Sequence, residues 1–143
     1  MPLQCYIIAE DKKTAKEMFE SEKPLRIHLY DESLFVRDAQ GFTDTLLQPL
    51  CELLAPGSKM QIVERSADGK KALLHFPNNA INKFATLQNN QMKSLADQWL
   101  KAMPAAYQTR LKIKDVENGL RFLSKIMVDA KALNKPVFLY ESL

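Results

Sequence analysis

The sequence predicts a single α/β or α+β domain, in which helices cover a mixed sheet of about five or six strands. Three observations lead to this class. The 143 residues match the usual size of one domain. Long segments with helical periodicity alternate with short segments rich in β-formers, in the order βαββαββααβ. The composition is 46% hydrophobic and 26% charged, which is typical of globular proteins, so one domain is expected to span residues 1–143.

The first strand and the first helix are predicted near the N-terminus. Residues 3–9 are apolar with little alternation, which is typical of a strand buried on both faces. Asp11 is expected to cap the following helix over residues 12–22, where apolar side chains recur every three or four positions. Pro24 ends that helix, because proline disrupts a helix interior.

A short hairpin is predicted after this helix. Residues 25–30 alternate strictly between apolar and polar side chains, which indicates a half-buried strand. Residues 31–33 supply turn-forming side chains, and residues 34–36 form the next short strand. The two strands would therefore pair with each other.

The central region is predicted to form a helix and a second hairpin. Leucines at helical spacing favour a helix over residues 46–55, in which Pro49 either produces a kink or marks the first turn of a shorter helix. Residues 60–65 and 71–76 have β-forming sequences, and an Asp-Gly pair between them favours a tight turn.

The C-terminal half is predicted to be mainly helical. Asn78 or Asn79 is expected to cap a long helix, which the polar residues 88–91 would split. Asp115 is expected to cap a last helix, before a final apolar strand at residues 137–140.

Two bulky apolar residues on the long helix admit two interpretations. The spacing of Trp99 and Met103 along one stripe indicates a buried helix face. An adaptable partner-binding surface is the alternative, because methionine repacks readily. We interpret both as core residues.

The sequence also predicts a reduced, cytoplasmic location. The apolar run at residues 3–9 is shorter than a signal-peptide core and no basic region precedes it. No apolar stretch approaches the roughly 20 residues that cross a bilayer, so no membrane contact is expected. Cys5 and Cys51 lie within apolar patterns and are interpreted as small buried hydrophobic residues.

Local motifs for cofactors and metals are missing from the sequence. The four glycines are isolated from one another, whereas phosphate-binding loops of nucleotide sites need clustered glycines. Two histidines and two distant cysteines do not have the local spacing of a zinc site. We therefore predict no cofactor, no metal and no motif-based catalytic site.

Acidic side chains follow several of the predicted strands. Glu10 and Asp11 follow the first strand, Asp31 and Glu32 the second, and Glu141 the last. If these strands are parallel neighbours, the carboxylates meet at one edge of the sheet, where open α/β sheets bind ligands. Clustered carboxylates would hold Mg²⁺ or raise one another's pKa. Turn formation and helix capping are the more ordinary roles.

Polar side chains share one face of the predicted strand at residues 25–30. Arg26, His28 and Tyr30 offer an anion-binding group, a proton carrier and a hydrogen-bond donor. With Asp31 and Glu32 they form our candidate binding site. The competing interpretation is the solvated face of an antiparallel strand.

Positive charge is concentrated in the second half of the chain. Residues 1–80 carry 10 basic and 12 acidic side chains, whereas residues 81–143 carry 10 and 5. A nucleic-acid interface would use the following basic residues: Arg110, Lys112, Lys114, Arg121 and Lys125. Interspersed acidic residues favour an ordinary solvated helix face instead.

We expect from these observations a non-enzymatic binding or regulatory protein, an accessory subunit or inhibitor that acts on another protein. The first alternative is a small Mg²⁺-dependent enzyme acting on a phosphorylated substrate, with Arg26 as anion clamp and His28 as proton carrier. The second is a weak nucleic-acid-binding protein.

Overall fold

A computed structural model describes residues 4–21, 24–26 and 31–142 of the chain. Within these ranges the chain forms five strands and six helices. In chain order they are β1 (Gln4–Ile8), α1 (Lys12–Glu20), β2 (Val36–Asp38), α2 (Asp44–Leu54), β3 (Gln61–Arg65), β4 (Lys71–His75), α3 (Asn78–Ala85), α4 (Asn89–Ala102), α5 (Ala105–Gln108), α6 (Ile113–Ala132) and β5 (Phe138–Ser142).

The five strands form one sheet in the order β2-β1-β5-β4-β3. The first and last strands of the chain are therefore neighbours near its centre, with Tyr6 opposite Tyr140. Each described pairing is antiparallel. The predicted single-domain α/β class is confirmed, but the parallel component of the expected mixed sheet is wrong, because β1 and β5 run in opposite directions.

The two faces of the sheet are buried by different numbers of helices. On one face, α2, α3, α4 and α6 pack on Ile7, Leu74 and Leu139 and form the larger core. On the other face, α1 and Leu25 cover a smaller cluster that includes Tyr140. A fully buried large apolar side chain contributes about 1.5–3 kcal/mol, so the four-helix face supplies most of the hydrophobic stabilisation.

Both outer strands have features that limit further pairing. On β2, the carbonyl of Val36 accepts a hydrogen bond of 3.0 Å from Nη1 of Arg37, whose guanidinium also lies 4.1 Å from the Phe35 ring centroid. On β3, the register shifts between Ile62 and Glu64. At the β2 edge a side chain therefore occupies a backbone acceptor, and at the β3 edge the strand is irregular.

The region after α1 differs from the predicted hairpin. Leu25 and Arg26 form a short 3-10 turn, and Leu25 is buried among the residues of the smaller cluster. The rest of the predicted strand, at residues 27–30, lies outside the described residues. The next strand lies at Val36–Asp38, later than predicted, and pairs with β1.

The hairpin predicted around the Asp-Gly pair is confirmed. β3 and β4 pair directly, and Gly69 has φ +73°, the left-handed conformation that such turns require. The preceding helix runs through Pro49, which lies inside α2.

The helical half of the chain confirms one prediction and corrects three. The long helix is split before Asn89, as the polar residues there indicated. Asn78 is already helical, with Pro77 at the cap position. Asp115 is the third residue of α6 and accepts from the N–H of Lys112, the actual cap residue, at 3.2 Å. The unpatterned segment before it contains the short α5.

Candidate functional site

The predicted strand-end carboxylates do not all meet at one edge of the sheet. Because β1 and β5 are antiparallel, the end of β1 and the end of β5 lie at opposite ends of the sheet. Glu10 and Asp11 are therefore separated from Glu141. No group of three histidine, cysteine, aspartate or glutamate residues suited to a metal ion occurs within residues 4–21, 24–26 and 31–142.

Glu10 is a buried structural carboxylate. It is 3% exposed, and its Oε1 accepts from the Phe35 N–H at 2.8 Å. Its Oε2 forms an ion pair and a short hydrogen bond with Nζ of Lys135. The side chain thus joins the end of β1 to the segments before β2 and before β5.

The other acidic candidates at this end have local roles. Oδ1 of Asp11 caps α1 by accepting from the Thr14 N–H at 2.7 Å. Oδ1 of Asp31 accepts from the N–H and the hydroxyl of Ser33, at 3.0 and 2.6 Å. Glu32 is exposed, and it lines a shallow surface depression together with Asp31, Glu10 and Lys135.

The candidate site on the predicted second strand is only partly described. Arg26 is exposed in the 3-10 turn. His28 and Tyr30 lie outside the described residues. The structure therefore brings Asp31 and Glu32 close to Glu10, and the proposed catalytic grouping of Arg26 and His28 stays a prediction.

The opposite end of the sheet has a pair of carboxylates. Oε1 of Glu141 accepts from the Asp44 N–H at 2.5 Å. Burial raises the pKa of Glu141 to about 7, and the adjacent Asp44 carboxylate adds to the rise, whereas the hydrogen bond from the Asp44 N–H and the positive charge of Arg65 oppose it. This carboxyl group titrates near neutral pH.

Both cysteines are buried and free, as the sequence predicted. Burial, reinforced by the carboxylates of Glu141 and Asp44, raises the pKa of the Cys5 thiol to about 12. Burial alone raises the pKa of Cys51 to about 12. Both thiols are protonated at neutral pH and are weak nucleophiles.

The five basic residues of the predicted nucleic-acid interface lie before α6 and along it. Arg110 and Lys112 precede α6. Lys114, Arg121 and Lys125 are separated by seven and four residues along α6, a spacing that places them on the same side of the helix. Nη1 of Arg121 donates to Oδ1 of Asn89 at 2.9 Å, so one member of this row is already hydrogen-bonded.

The described depression with the most apolar lining lies elsewhere, between the β2–α2 loop and the helices α4, α5 and α6. Its volume is about 400 Å³. We call it the apolar pocket. Its lining consists of Gln40, Gly41, Phe42, Leu46, Trp99, Met103, Tyr107, Arg110, Leu111, Asp115, Val116 and Gly119.

Buried side chains form the floor of the apolar pocket. Trp99 is 1% exposed, and Leu46, Met103 and Val116 are also buried. The indole Nε1 of Trp99 donates to the carbonyl of Leu46 at 2.9 Å. This bond joins α4 to the first turn of α2 and fixes the ring, so the floor is formed before any ligand arrives.

The loop at residues 39–43, here called the pocket loop, forms one wall. The Ala39 N–H donates to the Cys5 carbonyl at 2.9 Å, and the residue after the loop, Asp44, donates to Glu141. Both ends of the loop are therefore tied to the sheet.

Two phenylalanines extend this wall outward. The rings of Phe42 and Phe122 stack with centroids 5.7 Å apart, and Phe122 is 36% exposed. A Cβ on Gly119 would lie 3.2 Å from Cζ of Phe42, closer than normal contact. The absence of a side chain at Gly119 thus allows Phe42 to pack on α6.

The opposite side of the mouth carries charge. Cζ of Arg110 lies 5.3 Å from the Tyr107 ring centroid, and its Nε donates to the Ala106 carbonyl at 3.3 Å. Asp115 faces the same depression, with Oδ2 accepting from the Lys112 N–H at the start of α6.

Sequence reasoning missed this pocket. Trp99 and Met103 were correctly predicted to be buried, but periodicity does not reveal that one edge of a buried stripe lines a cavity. Tyr107 and Arg110 lie in the unpatterned segment. Their spacing of three residues, which lets a guanidinium reach a ring within one helical turn, was the available signal.

Comparison with family models, curated proteins and solved structures finds no match to this chain. Among the described residues, no helix combines the length and the apolar character needed to span a membrane. Function must therefore be argued from the geometry of the site itself.

Proposed function

We propose that this chain is a non-enzymatic binding protein that acts through a protein–protein interface, and that the apolar pocket receives a large apolar side chain of the partner. The observation that carries the proposal is the preformed floor around Trp99, open to solvent beside the exposed Phe122. A role as an accessory subunit or inhibitor in the cytoplasm is part of the same proposal.

The size and lining of the pocket support a binding role. Its volume of about 400 Å³ lies at the lower end of the range of ligand-binding pockets, roughly 300–1,000 Å³. Binding hot spots are buried aromatic anchors that fill such pockets on a partner. The Phe42–Phe122 pair continues the apolar surface beyond the mouth, which suits a protein partner better than a ligand confined to the cavity.

The chemistry of the lining supports binding rather than catalysis. The charged side chains of the lining are Arg110 and Asp115, and both lie at the exposed rim. Among the twelve described residues that line the pocket, none is a histidine, cysteine, serine, threonine or lysine. These residue types include the commonest proton carrier, histidine, and the commonest activated nucleophiles. Asp115 and Tyr107 can also transfer protons, but Asp115 accepts from the Lys112 N–H and Tyr107 lies against the Arg110 guanidinium.

Titration with N-acetyl amino-acid amides, followed by NMR, tests this proposal. The tryptophan and phenylalanine amides present the side chains that we expect the pocket to accept, and the alanine amide is the control. We expect saturable shifts of the Trp99 indole N–H and of backbone amides around Gly119, with millimolar dissociation constants, because one side chain supplies only part of an interface. The alanine amide should give no saturable shift.

Two matched variants locate the binding. Leu111→Trp places a larger side chain at the partly exposed rim and should abolish the shifts. Leu87→Trp makes the same change at a partly buried leucine that lines a different groove, and should leave them intact. Binding that survives Leu111→Trp, or equal shifts with the alanine amide, would contradict the proposal.

A further inference from the structure

The guanidinium of Arg110 is oriented by its neighbours at the mouth of the apolar pocket. Cζ of the group lies 5.3 Å from the centroid of the Tyr107 ring, and the bond from Nε to the Ala106 carbonyl restricts its rotation. The terminal Nη1 and Nη2 groups make no hydrogen bond to any residue within the described ranges. Arg110 therefore presents two donors, and such a pair suits bidentate binding of a carboxylate.

The other charged group at the mouth is already engaged. Asp115 accepts from the Lys112 N–H and lies in the first turn of α6, where the helix dipole and unpaired N–H groups favour a negative charge. Arg110 and Asp115 form no ion pair with each other. The positive charge of Arg110 is therefore not neutralised by its nearest acidic neighbour.

The charged residues of the segment around Arg110 are all basic. Residues 103–114, here called the basic segment, contain Arg110, Lys112 and Lys114 and no acidic residue. Each of these three side chains is exposed. A negatively charged partner is therefore favoured on this side of the pocket, both for steering and for orientation in the complex.

We infer that the partner is a protein segment in which a large apolar residue stands beside an acidic residue, the first filling the apolar pocket and the second binding Arg110. This inference rests on the proposed function, because it assumes that the pocket receives a side chain. The inference adds to the proposed function the chemical groups by which the partner is recognised. The apolar group supplies the anchor, and the carboxylate sets its orientation.

Short peptides of matched sequence test the inference. The probes are acetyl-GFEG-amide and acetyl-GEFG-amide, with counterparts that carry Gln or Lys in place of Glu, and one that carries Ala in place of Phe. We expect the better Glu peptide to bind about threefold to tenfold more tightly than its Gln counterpart, because charge-assisted hydrogen bonds at a partly exposed site add a modest gain. Among the peptides that keep Phe, the Lys peptide should bind most weakly, and 0.5 M NaCl should reduce the differences between the Glu, Gln and Lys peptides.

Variants of Arg110 assign the effect to this side chain. In Arg110→Gln, the Glu and Gln peptides should bind equally, at the affinity that the Gln peptide has for the unaltered protein. Arg121→Gln, on α6 but outside the pocket lining, should keep the preference for Glu. Arg110→Gln could also weaken the binding of both peptides by changing the shape of the pocket. Arg110→Lys distinguishes this effect from loss of charge, because lysine keeps the positive charge and should retain part of the preference for Glu.

The possible failures are distinguishable. Equal binding of the Glu and Gln peptides to the unaltered protein would overturn the inference and leave the pocket proposal standing. Equal binding of the Phe and Ala peptides would overturn the pocket proposal itself. A preference for Glu that survives in Arg110→Gln would overturn the assignment to Arg110.

Discussion

The two ends of the central strands place a carboxylate in opposite electrostatic surroundings. At one end, Glu10 is buried with a cation, Lys135, and a backbone N–H as partners. At the other end, Glu141 has a backbone N–H but shares its surroundings with a second carboxylate, that of Asp44. The first arrangement pairs the carboxylate with a cation, whereas the second favours a proton near neutral pH. The second lies beside the pocket loop, so the titratable end is also the end proposed to bind.

The largest effect is expected from breaking the ion pair at the Glu10 end. Lys135→Met leaves a carboxylate that is 3% exposed without its cation. We expect a loss of about 3 kcal/mol in the free energy of unfolding, because breaking a buried pair leaves an uncompensated charge. Urea denaturation measures it, with the exposed Lys131→Met as control. If Lys135→Met and Lys131→Met lower the free energy of unfolding by the same amount, the pair between Glu10 and Lys135 does not stabilise the folded protein.

A smaller effect is expected from titration of the Glu141 end. Its pKa is raised from 4.5 to about 7 on folding, so the folded state binds the proton more tightly than the unfolded state does. The resulting stability is fully present below pH 4.5 and is lost as the pH rises to about 7. After allowance for partial exposure, we expect a loss of about 1–2 kcal/mol between pH 5 and 7.5.

Glu141→Gln isolates this contribution. Glutamine keeps an acceptor for the Asp44 N–H but does not titrate, so the variant should lack this decline. His75 has the opposite effect on the pH profile. Burial lowers the pKa of His75, so its contribution to the free energy of unfolding is lost as the pH falls. It is present in both proteins and cancels in their difference. Parallel pH profiles of unfolding free energy for the two proteins would contradict the prediction.

The smallest effect concerns the helix caps at the two ends. Asp11 caps α1 through a bond of 2.7 Å, whereas Thr43 caps α2 through a bond of 3.4 Å. We expect Asp11→Ala to lower the free energy of unfolding by more than Thr43→Ala does, because the shorter bond is the stronger cap. Thermal and urea unfolding of both variants give the ranking. If Thr43→Ala is the more destabilising variant, the end of the sheet near Glu141 depends more on its helix cap than the end near Glu10 does.

The fold class was predictable because it depends on local periodicity, whereas the sheet topology was not. Residues 3–9 and 137–140 are both mostly apolar and rich in β-formers, a pattern typical of central strands of either direction. Their antiparallel pairing depends on the path of the whole chain between them, which local periodicity does not specify. The predicted cluster at Glu10 and Glu141 failed for this reason alone.

The pocket depends on interactions between segments distant in the sequence. Trp99 donates to Leu46, which is 53 residues away in the chain, and Gly119 makes room for Phe42. Periodicity assigns Trp99 to the core but does not reveal which neighbours leave space beside it. Sequence analysis therefore predicted the burial of the pocket floor and missed the cavity.

The occupied edge of β2 has a consequence for how this chain behaves at high concentration. An exposed strand edge is a template on which further copies can add, and uncontrolled addition produces fibrils. Arg37 occupies the Val36 carbonyl with its own guanidinium, and its charge repels an identical strand that approaches the same edge. We therefore expect a chain that can display an apolar binding surface without polymerising through its sheet.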